Sequence, residues 1–200
     1  MAEIYLQNKK LVVFDLDGTI VDLAANWKAL KDILVKLYEE KYKEKCDFER
    51  ISKCLDKIVE KNDEEVLKHF FEIIRKYELE NIKDTQLIEE TVYFIKNKEI
   101  FGLSDDTKFA ILSLNTRNTI IKALKIAEIY DKIDFIVGRE DVRRWKPAPD
   151  GLLKLQEKFR IKKEDMIYFG DLKSDVQTGI NAGVDAHLID NLISLIKKKI

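Results

Sequence analysis

From Asn26 to Ile82 the chain contains neither Gly nor Pro, and its apolar residues recur at helical spacing. Trp27, Leu30, Ile33, Leu34, Leu37 and Tyr38 make one stripe. Phe48, Ile51, Cys54, Leu55 and Ile58 make a second, and Val66, Leu67, Phe70, Phe71, Ile74 and Tyr77 a third. Stripes of this width predict three amphipathic helices, separated by polar breaks near Asp47 and Asn62. A block of this kind cannot contribute to a sheet, so it has to stand as an all-α insert in whatever surrounds it.

What surrounds it alternates between strand and helix. Leu11–Phe14 is a short β-favouring run that stops at Asp15-Leu-Asp-Gly-Thr19, a strand followed by a Gly-containing loop. After the insert the reading is a helix over Leu87–Lys96 with Asp84 or Thr85 as its N-cap, a strand Phe109–Ser113 and a helix Thr119–Ala127. A strand Phe135–Val137 follows, then a turn carrying both prolines of the chain, Lys146-Pro-Ala-Pro149. The chain then continues with helix Leu152–Phe159, strand Met166–Phe169, helix Ser174–Asn181, strand Ala186–Ile189 and a terminal helix. Successive β–α units predict an α/β fold with a doubly wound parallel sheet. The expected organisation is an α/β core of residues 1–22 and 83–200 with a helical cap over 23–82 standing as a lid.

Composition narrows the partners. The 36 basic and 37 acidic residues give a net charge of −1, whereas a dedicated binder of nucleic acid or an anionic membrane carries a basic excess. Two Cys and two His, Cys46, Cys54, His69 and His187, argue against a disulfide framework and a Cys/His zinc site. The thiols are therefore expected to be reduced and to lie on helices. The polar stretch 1–10 and the apolar run ending at Asp15 are too short for a signal peptide or a membrane span. These features predict a soluble, cytoplasmic protein, monomeric or homodimeric. The preference for Lys (29) over Arg (7) fits either a thermophile or an AT-rich genome.

Ligands of open parallel sheets collect beyond the carboxyl ends of the strands. The polar residues there are Asp15 and Asp17 after the first strand, Ser113 after the second and Lys146 in a later loop. The Met166–Phe169 strand adds Gly170-Asp171, with Asp175 four residues on. Carboxylates brought this close repel one another unless a cation sits among them. Oxygen donors without His or Cys select a hard cation, and few protein ligands favour a Mg²⁺ that keeps its waters and binds phosphate. Such a set reads as a Mg²⁺–phosphate site in which a carboxylate can serve as nucleophile.

Phe14-Asp-Leu-Asp-Gly-Thr19, Ser113, Lys146-Pro-x-Pro149 and Gly170-Asp-x-x-x-Asp175 resemble, in order and spacing, the four motifs of the haloacid dehalogenase-like superfamily. The likeness spans residues 11 to about 185. The helical insert after the first motif resembles the cap of the subfamily that includes phosphoglycolate phosphatases and β-phosphoglucomutase. The resemblance implies that Asp15 attacks phosphorus and becomes an aspartyl phosphate, while Asp17 protonates the leaving oxygen and later deprotonates water. It implies that Ser113 donates to the phosphate and that Lys146 neutralises charge on the nucleophile and phosphoryl oxygens. Asp15, Asp171 and the Asp17 carbonyl would ligate Mg²⁺, with Asp175 ordering its waters. Dehalogenases of the superfamily lack an acid at the position of Asp17, so its presence favours phosphoryl transfer.

Two positions depart from the pattern. Leu114 follows Ser113 where Asn is common, leaving Asn115 or its backbone to bind substrate instead, and Leu172 replaces a usual Ser. Within 23–82 there are 13 basic and 14 acidic residues, so the cap announces no polyanionic substrate. Arg117 is a further candidate for an acidic substrate group, with a surface ion pair as its plainer reading. A small phosphorylated metabolite is the expected substrate, and Mg²⁺ the expected cofactor. The alternatives are a phosphomutase and a non-catalytic binding module on the same fold.

Overall fold

The chain places its most apolar short run, β1 (Leu11–Phe14), in the middle of a sheet, with all four residues buried. The computed structural model describes residues 4–199; positions 1–3 and 200 of the expected core span lie outside them. After β1 come β2 (Val21–Asp22), then the helices α1 (Trp27–Tyr42), α2 (Ile51–Glu60) and α3 (Glu64–Glu80). The chain returns through β3 (Gln86–Leu87), α4 (Glu89–Lys96), β4 (Lys108–Leu112), α5 (Arg117–Ile126) and β5 (Phe135–Val137). It ends with α6 (Asp150–Phe159), β6 (Met166–Gly170), α7 (Lys173–Ala182), β7 (Asp185–Leu188) and α8 (Ile189–Lys197).

Five strands form one parallel sheet in the order β5-β4-β1-β6-β7. A parallel strand covered on both faces needs a continuous apolar run, and Leu11-Val-Val-Phe14 supplies one. Its residues alternate between two cores. Val12 and Phe14 join Phe94, Phe109 and Phe169 on one face, where Phe14 meets all three rings at centroid distances of 5.8 to 6.0 Å. Leu11 and Val13 pack with Leu112, Leu152 and Tyr168 on the other. Each such side chain removed from water contributes roughly 1.5–3 kcal/mol. The doubly wound α/β expectation is met.

The three helices of the insert gather a hydrophobic cluster around Leu30, Leu34, Tyr38, Phe48, Phe70 and Ile74, which Trp145 from the later turn also joins. Asn26 caps α1 by accepting from the Ala29 N–H at 3.0 Å, and Asp63 caps α3 through the Val66 N–H at 3.2 Å. The expected breaks near Asp47 and Asn62 fall in the two inter-helix connections.

Two expectations are corrected. Cys46 and Cys54 form a disulfide, not a pair of reduced thiols, and Cys46 lies outside any helix. The connection after α1 folds back over α2, bringing the two Cα atoms to 6.0 Å, and local return of the chain is not legible in apolar spacing. The helix expected over 87–96 starts only at Glu89, with Ile88 at its N-cap. Gln86 and Leu87 instead pair antiparallel with Asp22 and Val21, and the Ile88 N–H donates to the Ile20 carbonyl at 2.9 Å. Asp84 ends a single helical turn and Thr85 follows it. Tertiary pairing of the chain's exit from and return to the sheet side of the molecule has overridden the capping signal.

Candidate active site

The register of the sheet brings the strand ends together. Phe14 stands level with Ile111 and Phe169, so the residues following each strand emerge side by side. The Asp15 N–H donates to the Phe169 carbonyl at 2.8 Å, and the Ser113 N–H to the Val137 carbonyl at 3.0 Å. Asp15 and Asp175 are buried, and together with the more accessible Asp171 their carboxylate oxygens lie within 4.8 Å of one another. The Asp17 carboxylate stands apart from this trio, accepting from the Leu23 N–H at 2.8 Å.

Lys146 sits in the middle. Its ammonium lies 2.8 Å from Asp15 Oδ2 and 2.6 Å from Asp175 Oδ1, and it donates to the Tyr168 hydroxyl at 3.1 Å. The Tyr168 hydroxyl in turn donates to Asp175 Oδ1 at 2.8 Å. The second Asp175 oxygen accepts from the Leu172 N–H at 2.9 Å, while Asp15 Oδ1 accepts from the Leu16 N–H at 2.8 Å. Two glycines make this density possible. Gly18, at φ +73°, would place a Cβ 2.6 Å from Asp171 Oδ2, and a Cβ on Gly170 would collide with the Asp175 carboxyl carbon.

Burial dominates the titration of these groups. It raises the Asp15 carboxyl, against the pull of Lys146 and with the added repulsion of Asp175. Asp17 is pushed up to about 7, chiefly by burial, although the Leu23 N–H works the other way. Asp171 is raised to about 6 by burial and by the charges of Asp15 and Asp175. Burial also disfavours the Lys146 charge, but Asp15 and Asp175 more than compensate and hold its proton above the usual range. One ammonium thus faces three carboxylates at the sheet edge, and an oxygen-only donor set with a surplus of negative charge fits a hard divalent cation.

Ser113 closes β4 as expected, its hydroxyl donating to Asn115 Oδ1 at 2.8 Å and accepting the Asn115 N–H at 3.2 Å. Asn115 Nδ2 donates to Glu78 Oε1 at 3.0 Å. Glu78, at the end of α3 and 1% exposed, was missed by sequence reasoning. Its Oε2 accepts from the Thr116 N–H at 3.0 Å, the Thr116 hydroxyl at 2.7 Å and the Thr119 hydroxyl at 2.8 Å. The signal was present: Glu78 lies four residues after Ile74, on the apolar stripe, where an acid must be paired. Arg117 takes the plainer of its two readings, pairing with Asp141 at 2.6 Å.

Between the helical insert and this edge lies a cavity of about 700 Å³ that reaches Lys146, a size suited to a small ligand. Its charged lining is mostly basic: Lys31, Arg50, Lys53, Arg139, Lys146 and Lys173 face only Glu49 and Asp56. The near-neutral total of the insert concealed this, because folding gathers Lys31, Arg50 and Lys53 along the side that faces the cavity.

A profile of the haloacid dehalogenase-like hydrolases matches residues 12–189. The chain is 31% identical over 184 residues to a protein from Halalkalibacterium halodurans named pyrophosphatase PpaX, covering 89% of this chain and 82% of that one. Among solved structures it is similar to a predicted phosphoglycolate phosphatase from Haemophilus somnus, at 17% identity and a TM-score of 0.61, covering 92% and 85% of the two chains. A haloacid dehalogenase-superfamily hydrolase from Ehrlichia chaffeensis gives 18% identity and a TM-score of 0.57 over 98% and 99%. At those identities the structures share the fold.

Proposed function

Because the chain belongs to the haloacid dehalogenase-like hydrolase family, we propose that it is a Mg²⁺-dependent phosphatase acting on a small phosphomonoester through an aspartyl phosphate on Asp15. The observation that carries this reading is Lys146, buried and bridging Asp15 and Asp175 beside Asp171. In this proposal Mg²⁺ would be held by Asp15, Asp171 and the backbone carbonyl of Asp17, with Asp175 beside them. When bound it supplies charge withdrawal from the phosphoryl oxygens.

The chain's own residues do the rest. The Asp15 carboxylate attacks phosphorus as the bond to the ester oxygen breaks. Asp17, whose carboxyl keeps its proton up to about 7, gives that proton to the leaving oxygen. Water then attacks the aspartyl phosphate, Asp17 takes the water's proton, and the Asp15–phosphorus bond breaks to release phosphate. Lys146 offsets charge on Asp15 and the transferring group. Ser113 exchanges its bond to Asn115 for one to a phosphoryl oxygen, with Asn115 holding the loop in register. The helices of 23–82 act as a cap on the core of 1–22 and 83–200, keeping stray water from the intermediate.

The test is a screen of small phosphomonoesters with and without Mg²⁺, run in parallel on Asp15→Asn. Mg²⁺-dependent phosphate release that falls at least about 10⁴-fold in Asp15→Asn is expected. Undiminished turnover in that variant removes Asp15 as nucleophile, and arrest after one turnover unless a bisphosphate is added identifies a phosphomutase instead.

A further inference from the structure

Arg139 is buried to 3% exposure, yet the atoms Nε and Nη1 of its guanidinium have no hydrogen-bond acceptor among the described residues. Its backbone is fixed on both sides of the site. The Arg139 N–H donates to the Asn115 carbonyl at 2.9 Å, and its own carbonyl accepts from the Trp145 indole N–H at 2.8 Å. It is thereby held between the Ser113 loop and the turn that carries Lys146. The nearest acids do not absorb it. Burial works against the Arg139 charge and lowers its pKa, while the charges of Glu78 and Glu140 favour it. Neither acid accepts from Nε or Nη1, and Glu78 already accepts four hydrogen bonds from Asn115, Thr116 and Thr119. A buried guanidinium with open donors is costly unless something anionic completes it. Arg139 is among the residues that line the cavity reaching Lys146, where basic residues outnumber acidic ones, and its two open donors lie just beneath that wall.

We propose that Arg139 seats a second anionic group of the substrate, so that the enzyme prefers phosphoryl compounds, esters or anhydrides, that carry a carboxylate or a further phosphate over those with a neutral remainder. This rests on the reading that the phosphoryl group is attacked at Asp15. The planar fork of a guanidinium matches either oxyanion through two parallel N–H donors, and it remains charged under any working condition. The phosphoryl group lies at the Lys146 end of the cavity and the second anion at Arg139. Lys31, Arg50, Lys53 and Lys173 raise the concentration of such doubly charged ligands around the opening.

The experiment compares kcat/KM for 2-phosphoglycolate and for pyrophosphate with that for ethyl phosphate, in wild type, Arg139→Met and Arg139→Lys. The ratio of doubly to singly anionic substrate is expected to fall about 10- to 100-fold in Arg139→Met. In Arg139→Lys, which keeps the charge facing Glu78, a fall of about 5-fold is expected. The substrate whose ratio falls further tells whether the second anion is a carboxylate or a phosphate. An unchanged ratio overturns the proposal, including the case in which all substrates lose activity together, because that is the signature of a positioning role through Glu78. If Arg139→Met does not fold, the ratio in Arg139→Lys decides. Calorimetric binding of 2-phosphoglycolate and ethyl phosphate to Asp15→Asn, with and without Arg139→Lys, reads the same preference without turnover. Loss of that preference upholds the seat even if Asp15 is not the nucleophile, and its persistence overturns it.

Discussion

Lys146 makes the carboxylate cluster tolerable in the absence of metal, and it does so incompletely. Asp171 remains protonated up to about 6 and Asp17 up to about 7. Both carboxyls titrate near 3.8 without these surroundings, so the folded metal-free protein binds protons that the unfolded chain has released. These groups therefore cost stability as pH rises from about 4 to about 7. In the proposed site Mg²⁺ would require the deprotonated form of Asp171, so its binding is expected to become tighter over the same interval. Thermal unfolding checks this directly. Saturating Mg²⁺ is expected to raise Tm by several degrees more at about pH 8 than at about pH 5, and an equal shift at both would show that Asp171 is not a ligand. The acidic residues of the site were legible in sequence because each stands directly after, or one helix turn beyond, an apolar strand. Asp17 was expected with them, but its carboxylate is turned toward the Leu23 N–H, a detail set by the loop around Gly18.

At the scale of elements, α3 does more than cover the sheet edge. Through Glu78 it holds the Ser113–Thr119 segment by four hydrogen bonds. Glu78→Gln keeps the size of the side chain but puts an amide N–H₂ against donors, and it is expected to lower unfolding free energy by about 2–4 kcal/mol. Denaturant unfolding measures this, and a change below about 0.5 kcal/mol would show that the contacts are dispensable. The helices of the insert were legible because an amphipathic stripe is a local property of the chain. The Cys46–Cys54 bridge and the β2–β3 pair were not, since both depend on where distant or reversing segments arrive. Glu78 occupies an intermediate case: its place on the Ile74 stripe was visible, whereas its partners on α5 and the Ser113 loop were not.

Across the whole molecule, one strand order determines where chemistry can occur. With β1 central and its neighbours β4 and β6 reached by crossovers in opposite directions, the chain ends of three strands open onto one crevice. The alternation of strands and helices made this α/β arrangement legible, because βα units have few ways to pack. What sequence counts could not show was the sign of the crevice. The total charge of −1 divides into an acidic edge around Asp15, Asp171 and Asp175 and a mostly basic cavity wall above it. A dianionic phosphoryl group meeting a metal at the edge, with a further anion toward Arg139, fits that division.

The most direct measurement is to trap the covalent intermediate. Enzyme mixed with a turned-over phosphomonoester and Mg²⁺ is quenched in acid and reduced with borohydride, which converts an aspartyl phosphate to homoserine. Tandem mass spectrometry of the digest is expected to find homoserine at position 15 and unmodified aspartate at 17, 171 and 175. Substrate-dependent modification at any other residue, or none at position 15 under conditions of active turnover, would contradict Asp15 as the nucleophile.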